Sequence, residues 1–352
     1  MAVSRRVFLV RSGQAAGLIA VSGGVAALME AAAGPAVASP ASFPLTPVTY
    51  QLGWLPNVEN GGEFYAAAKG YFAKEGIRIT LLPGGPTTTV EPLIVSGKCL
   101  VGLSETDTLA RANLQGAKIK TIAATLQTTP LGVASLASKP ILTPRGLYGK
   151  RLGVQPFQEE VFRSFFKMIG VDSSKITFIP ASGDPSILPA GEVDALSVFI
   201  TNEPITLALE GVKTHVWTLS QYGWSVYGDT LEASEAALGN SRTRDVIVRV
   251  VRAVIRGWEG ALANQPATVN MVVNNYGKSL KLNHKQQTLE LRALQGLIQT
   301  PYTKTHGLLT MSRAGIETNL KSIRSEGIKV TEQSLFDLSI LAEAYDGKTS
   351  IS

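Results

Sequence analysis

Cysteine occurs once in the 352 residues, as Cys99, and histidine three times, as His215, His284 and His306. One cysteine excludes an intrachain disulfide, and so few thiols and imidazoles exclude a Cys-rich metal site. Charged residues make up only 17% of the chain. The net charge is +6, yet Lys and Arg are scattered and never form a run of five, so there is no footprint for nucleic acid. Four charged residues before position 39 (Arg5, Arg6, Arg11 and Glu30) account for +2 of that charge and leave +4 for the rest. A phosphate-binding glycine loop is also missing, so any ATP chemistry linked to this protein belongs to another chain. What remains is an ordinary globular composition, 45% hydrophobic, long enough to favour two cores.

The N-terminus reads as an address rather than as fold. "SRRVFLV" sets paired arginines beside an apolar stretch, and "AVAS" offers a small-x-small cleavage site after Ala38. A charged region, an apolar region and such a site define an export signal. The paired arginines and low hydrophobicity predict the twin-arginine type over residues 1–38, a receptor-read address and not an anchor. Glu30 and the glycines argue against a membrane-spanning helix, which needs about 20 mostly apolar residues. No cysteine lies near the site, so lipid attachment there is excluded, and the expected location is the periplasm.

Residues 39–47, "SPASFPLTP", form a linker. From "VTYQLGW" onward short strands alternate with helices, and the rhythm repeats after "PRGLYGKRLGVQ". Such β-α alternation predicts two α/β lobes, each a parallel sheet with helices on its faces. After about residue 233 only helical patterns remain. The segments 131–138 and 226–234 appear extended and are the expected crossings. They place lobe 1 at 48–135 and 231–352, including the C-terminal helices, and lobe 2 at 136–230.

The strings "LGWLPNVENGGEFYAAAKGYFAKEGI", "LLPGGP", "GLSETDTLARA", "DPSIL", "GEVDALSVFITNEP" and "YGWSVYGDTLEAS" resemble successive motifs of one family. It is the solute-binding proteins of ABC importers, in the branch similar to the thiamine-pyrimidine synthases, whose relatives bind nitrate, sulfonates and taurine. The resemblance implies a two-lobed periplasmic-binding-protein fold that closes on its ligand by hinge motion. It further implies a monomer without cofactor or catalytic residues, delivering its ligand to a permease in the inner membrane that is driven by a cytoplasmic ATPase. The expected ligand is a small planar nitrogen heterocycle similar to a thiamine pyrimidine precursor. One alternative is an alkylsulfonate, taurine or nitrate. The other is a pyrimidine synthase, whose Cys-rich motif and early histidine this chain lacks.

Candidate contacts follow from strand ends, where α/β sheets bind ligands. Trp54 stands at the first such end and offers a flat face for stacking; its alternative is a plug between lobes. Asn57 follows on the same turn, where plain turn chemistry also suits it. Glu203, in "TNEP", can accept two hydrogen bonds from an aminopyrimidine edge or simply favour a helix N-terminus. Tyr222, Tyr227 and Asp229 in "QYGWSVYGD" are ligand faces and an acceptor, or else hinge packing. Ser104 and Thr106 in "SETD" are candidate polar contacts. Glu159 and Glu160 occupy the N-terminus of the second lobe's first helix and no arginine of these motifs is placed to face the cleft, which argues against an anion.

Overall fold

A computed structural model describes residues 44–351. The expected export signal at 1–38 and linker residues 39–43 lie outside the described residues. Among those described, no helix is long and apolar enough to cross a membrane.

The first half runs β1 (Thr46–Gln51), α1 (Gly61–Ala68), α2 (Tyr71–Lys74), β2 (Ile77–Leu82), α3 (Glu91–Val95), β3 (Val101–Ser104), α4 (Thr106–Leu114) and β4 (Ile119–Leu126). The second runs β5 (Leu131–Leu136), β6 (Arg151–Val154), α5 (Glu159–Met168), β7 (Thr177–Pro180), β8 (Ala195–Phe199), α6 (Glu203–Leu209) and β9 (Thr214–Thr218). Then come β10 (Gly228–Ser234) and eight helices: α7 (Glu235–Gly239), α8 (Ser241–Ala263), α9 (Gln265–Met271), α10 (His284–Ile298), α11 (Pro301–His306), α12 (Arg313–Ser325), α13 (Glu332–Leu335) and α14 (Ser339–Tyr345). Val48, Tyr50 and Leu52 are buried while Pro47 is exposed and Thr49 half-buried; Gln51 breaks the period of two, being buried with its Nε2 donating to the Leu52 and Pro83 carbonyls. Nearly every residue of β4 is buried, as expected where both faces of a strand are covered.

The strands form two five-stranded sheets, in the orders β2-β1-β3-β10-β4 and β7-β6-β8-β5-β9. The α/β class and two-lobed design expected from the sequence are present, but neither sheet is purely parallel. β10 is antiparallel to both β3 and β4, and β5 is antiparallel to both β8 and β9. The two segments expected as crossings are therefore interior strands. β5 belongs wholly to the second sheet and β10 wholly to the first. Each is the first strand after the chain changes lobes, so it enters the new sheet from the cleft end and runs against its neighbours. The crossings themselves are shorter, 127–130 and 219–227. They are tied together by Thr128 Oγ1 and Ser225 Oγ at 2.6 Å and by the Thr129 amide donating to the Val226 carbonyl at 2.8 Å.

The C-terminal helices return to the first lobe, as expected. α8 is capped by Asn240, whose Oδ1 accepts from the Arg242 and Thr243 amides, and it buries Ile247, Val251, Val254, Ile255 and Trp258 along one side. That stripe packs on α1 at a backbone-close crossing. A Cβ built on Gly62 would lie 2.3 Å from the Trp258 ring, and one on Gly257 would lie 2.2 Å from the Gly62 carbonyl oxygen. Only hydrogen fits at either position. Gly62→Ala is expected to overpack this crossing and to cost about 1–3 kcal/mol. The measurement is urea unfolding, with the midpoint lowered and the m-value unchanged; an unaltered midpoint would contradict the packing described.

Candidate functional site

A cleft opens where the two sheets face each other at the crossings. It holds about 1130 Å³ of empty space, part of it open to solvent, and its walls come from both lobes. Gly53, Trp54 and Glu59 follow β1, Ser104 and Glu105 end β3, and Phe199, Asn202 and Glu203 follow β8. Thr129, Trp224 and Val226 come from the crossings, and Gln155 and Gln158 lie between β6 and α5. The first-lobe and β8 contributors thus sit at carboxyl ends of parallel strands, the place where such sheets leave backbone and side chains free to meet a ligand.

The turn that carries Trp54 is held from three sides. The Gly84 amide donates to the Trp54 carbonyl at 2.9 Å, and a Cβ on Gly84 would lie 2.4 Å from the Leu52 oxygen, so the loop after β2 lies flush against the turn. The Val58 amide donates to Gln287 Oε1 at 2.9 Å, which fastens the same turn to α10. From the other lobe, a Cβ on Gly183 would lie 3.6 Å from Trp54 Cζ2, so the loop after β7 rests on the edge of the indole. A second cross-lobe contact runs from Gln286 Nε2 on α10 to Asn202 Oδ1 at 3.1 Å. Trp54 is half-buried and lines the cleft rather than the interior of either lobe.

The model of the NMT1/THI5-like family matches residues 57–268. The chain belongs to this family. It is 26% identical over 243 residues to the riboflavin-binding protein RibY of Chloroflexus aurantiacus, spanning 66% of this chain and 68% of that one. It is 24% identical over 237 residues to the formylaminopyrimidine-binding protein of Halalkalibacterium halodurans, spanning 66% and 71%. Among solved structures, the ligand-binding component of an ABC-type import system from Staphylococcus aureus superposes with a TM-score of 0.63 at 12% identity, covering 85% of this chain and 99% of that one. The fold of this NMT1/THI5-like chain is that of the periplasmic binding proteins.

Of the eight candidate residues, Trp54, Ser104, Glu203 and Asp229 line the cleft. Four do not, each for a visible reason. Asn57 is buried as a turn residue: its Oδ1 accepts from the Glu59 amide at 2.8 Å and its Nδ2 reaches Glu290 at 3.5 Å. Thr106 opens α4 and is fully buried behind the wall. Tyr222 packs edge-on against Trp217 and Phe165 in the second lobe. Tyr227 turns away beneath α12, where its hydroxyl donates to the Ser312 carbonyl at 3.3 Å. The aromatic of "QYGWSVYGD" that meets the cleft is Trp224. The glycines and rings of that string flagged the right segment, but which ring faces inward depends on α12, whose packing has no local signature. Glu59, Glu105 and Gln155 were missed although their strings were quoted. Glu59 stands two residues after Asn57, Glu105 between Ser104 and Thr106, and Gln155 directly after β6, and only their convergence on the cleft sets them apart.

The electrostatics of the cleft are one-sided. Glu59, Glu91, Glu105, Asp107, Glu203 and Asp229 line it, and no Lys, Arg or His does among the described residues. Asp107 is paired with Arg111, which also bonds Glu326 at 2.6 Å, and Glu91 accepts from Ser104 Oγ at 2.5 Å. Glu203 Oε2 accepts from the Phe199 amide at 2.8 Å, which closes the turn from β8 into α6. Burial pushes the Glu203 carboxyl up to about 7, against the lowering effect of its backbone donors. Burial first, and then neighbouring carboxylates, hold Glu105 and Asp229 well above the usual range, and burial raises Glu59.

A carboxyl raised on folding binds its proton more tightly in the folded state. Its contribution is therefore complete below the unfolded value of 4.5 and is lost as pH rises through about 7. The ligand-free protein is expected to lose thermal stability between pH 5 and 7.5, by on the order of a few kcal/mol. Glu203→Gln is expected to flatten part of that slope. Melting curves across this range check it, and a wild-type stability that rises steadily over the interval would contradict the description.

Proposed function

We propose that this chain is the solute-receiving component of an ABC importer, acting outside the cytoplasm. In this reading it captures a small planar nitrogen heterocycle between its lobes and presents it to a membrane permease. The observation that carries the proposal is the cleft wall itself: aromatic residues Trp54, Phe199 and Trp224, six acidic side chains and, among the described residues, no cationic one. Carboxylates accept hydrogen bonds from ring N–H and amino groups, and aromatic faces stack on the ring. Stacking adds about 0.5–1.5 kcal/mol beyond burial. Glu203 is the edge reader, since its turn is fixed by the Phe199 amide while it still faces the cleft. A sulfonate or nitrate would meet repulsion here with no Arg to offset it.

The names of the two sequence relatives, which bind a formylaminopyrimidine and riboflavin, support a nitrogen heterocycle as ligand. The expected export signal supports a periplasmic location. A carrier is favoured over a synthase because Cys99 is buried away from the cleft lining, and His215, His284 and His306 are likewise not part of it.

Titration of the purified protein with an aminopyrimidine is expected to change tryptophan fluorescence saturably. Trp54→Ala is expected to weaken that binding by roughly threefold or more, from the lost stacking alone. Saturable binding of an alkanesulfonate with no response to aminopyrimidines would overturn the assignment.

A further inference from the structure

Among the described residues only Asp107 of the six carboxylates has a cationic partner; Glu91 and Glu203 accept from Ser104 Oγ and the Phe199 amide, which leaves Glu59, Glu105 and Asp229. The Asp229 amide donates to Glu105 Oε1 at 3.4 Å, and Gly228 sets its backbone 3.3 Å, at an added Cβ, from Glu105 Oε2. Burial and the neighbouring Glu59 both raise the Asp229 carboxyl, and both residues line the cleft. Carboxyl groups gathered away from water are relieved by a proton or by a positive group beside them. Arg111, the nearby cation, is taken up by Asp107 and Glu326. Asp229 Oδ2 is buried and accepts no hydrogen bond. Asp229 also adopts φ +47°, a left-handed conformation that places this carboxyl at the start of β10, against the end of β3.

A second wall asks for a donor independently of this cluster. Gln155, 7% exposed, lines the cleft from the other lobe, and its Oε1 has no partner in the protein. Its amide nitrogen lies beside the Gly183 turn, where the Trp54 indole also ends. An acceptor so placed is answered by a donor on a bound molecule or by a water. Burying an unanswered acceptor costs more than leaving it in water.

We infer that Glu59, Glu105 and Asp229 form a subsite for a protonated amine or amidinium group carried by the ligand, so that the cargo is a cationic heterocycle rather than a neutral or anionic one. The inference rests on the proposed function and narrows it to a charge class. On binding, the ammonium takes the place of the protons that these buried carboxyls hold, which are released to solvent, and donates to Glu59, Asp229 and Glu105, while the ring lies along Trp54 and its edge meets Glu203 and Gln155.

The test uses two probes of equal size, an aminopyrimidine bearing an aminomethyl group and its neutral hydroxymethyl counterpart, titrated calorimetrically into the full-length mature protein at pH 7.5. The aminomethyl probe is expected to bind at least roughly tenfold tighter, the scale of a close, desolvated charge pair. Asp229→Asn is expected to remove most of that preference, read as the ratio of the two affinities in the variant against the ratio in the wild type. Asn tolerates the left-handed backbone of this position, so the variant should fold. Glu59→Gln supplies a second variant with the same expectation. Equal affinity of the wild type for both probes would overturn the amine subsite and leave the heterocycle reading standing. Binding of neither probe would overturn both. A preference kept intact in both variants would place the positive charge elsewhere and equally defeat the assignment.

Discussion

The exchange of one strand between two sheets is the constraint on which the rest of this molecule depends. β5 and β10 each leave the lobe just completed and insert antiparallel into the interior of the other sheet. Because they enter from the cleft end, both crossings lie side by side at the base of the gap, where Thr128 and Ser225 hold them together. The same geometry brings parallel-strand ends of both sheets to a single gap. A lobe cannot slide on its partner without pulling a strand from an interior ladder, but it can rotate about two short crossings. This is the mechanical basis of hinge closure in folds of this kind.

The helices after β10 finish the site from outside. α10 fastens the Trp54 turn through Gln287 and reaches lobe 2 through the Gln286–Asn202 bond. α12 receives the second crossing: the Asn319 side chain accepts from the Tyr227 amide at 2.6 Å, and Ser322 Oγ bonds both the amide and the carbonyl of Ser225. Helices far from the cleft in sequence thus determine which side chains of the hinge face it. The cost of the site is electrostatic. Carboxyl groups gathered away from water disfavour their own charge, and among the described residues only Asp107 of the cleft group has a cationic partner, Arg111.

Much of the fold was legible because it is written in local patterns. Strand alternation in "VTYQLGW", turn glycines and the apolar stripe of "RTRDVIVRVVRAVIRGWEGALAN" each report on a single element. The direction of β5 and β10 was not legible, because an extended apolar segment appears the same as a connector or as an antiparallel interior strand, and only pairing decides. At the site, Trp54, Ser104 and Glu203 were expected from strand ends and Asp229 from the glycine–aromatic string, and all four line the cleft. Tyr222 and Tyr227 were expected at the ligand because aromatic residues among glycines suit both a binding face and a hinge, and in this hinge the rings pack against Trp217 and beneath α12. The unanswered acid cluster is a property of convergence: Glu59, Glu105 and Asp229 are ordinary residues of three separate loops until the sheets bring them together.

The most direct test of the central claim is a crystal structure of the protein grown with an aminopyrimidine ligand. The account requires the ring between the lobes, against the Trp54 indole, with its nitrogen-bearing edge on Glu203. A ring found outside the gap between the sheets, or inside it with no contact to Trp54 or the carboxylates, would contradict it.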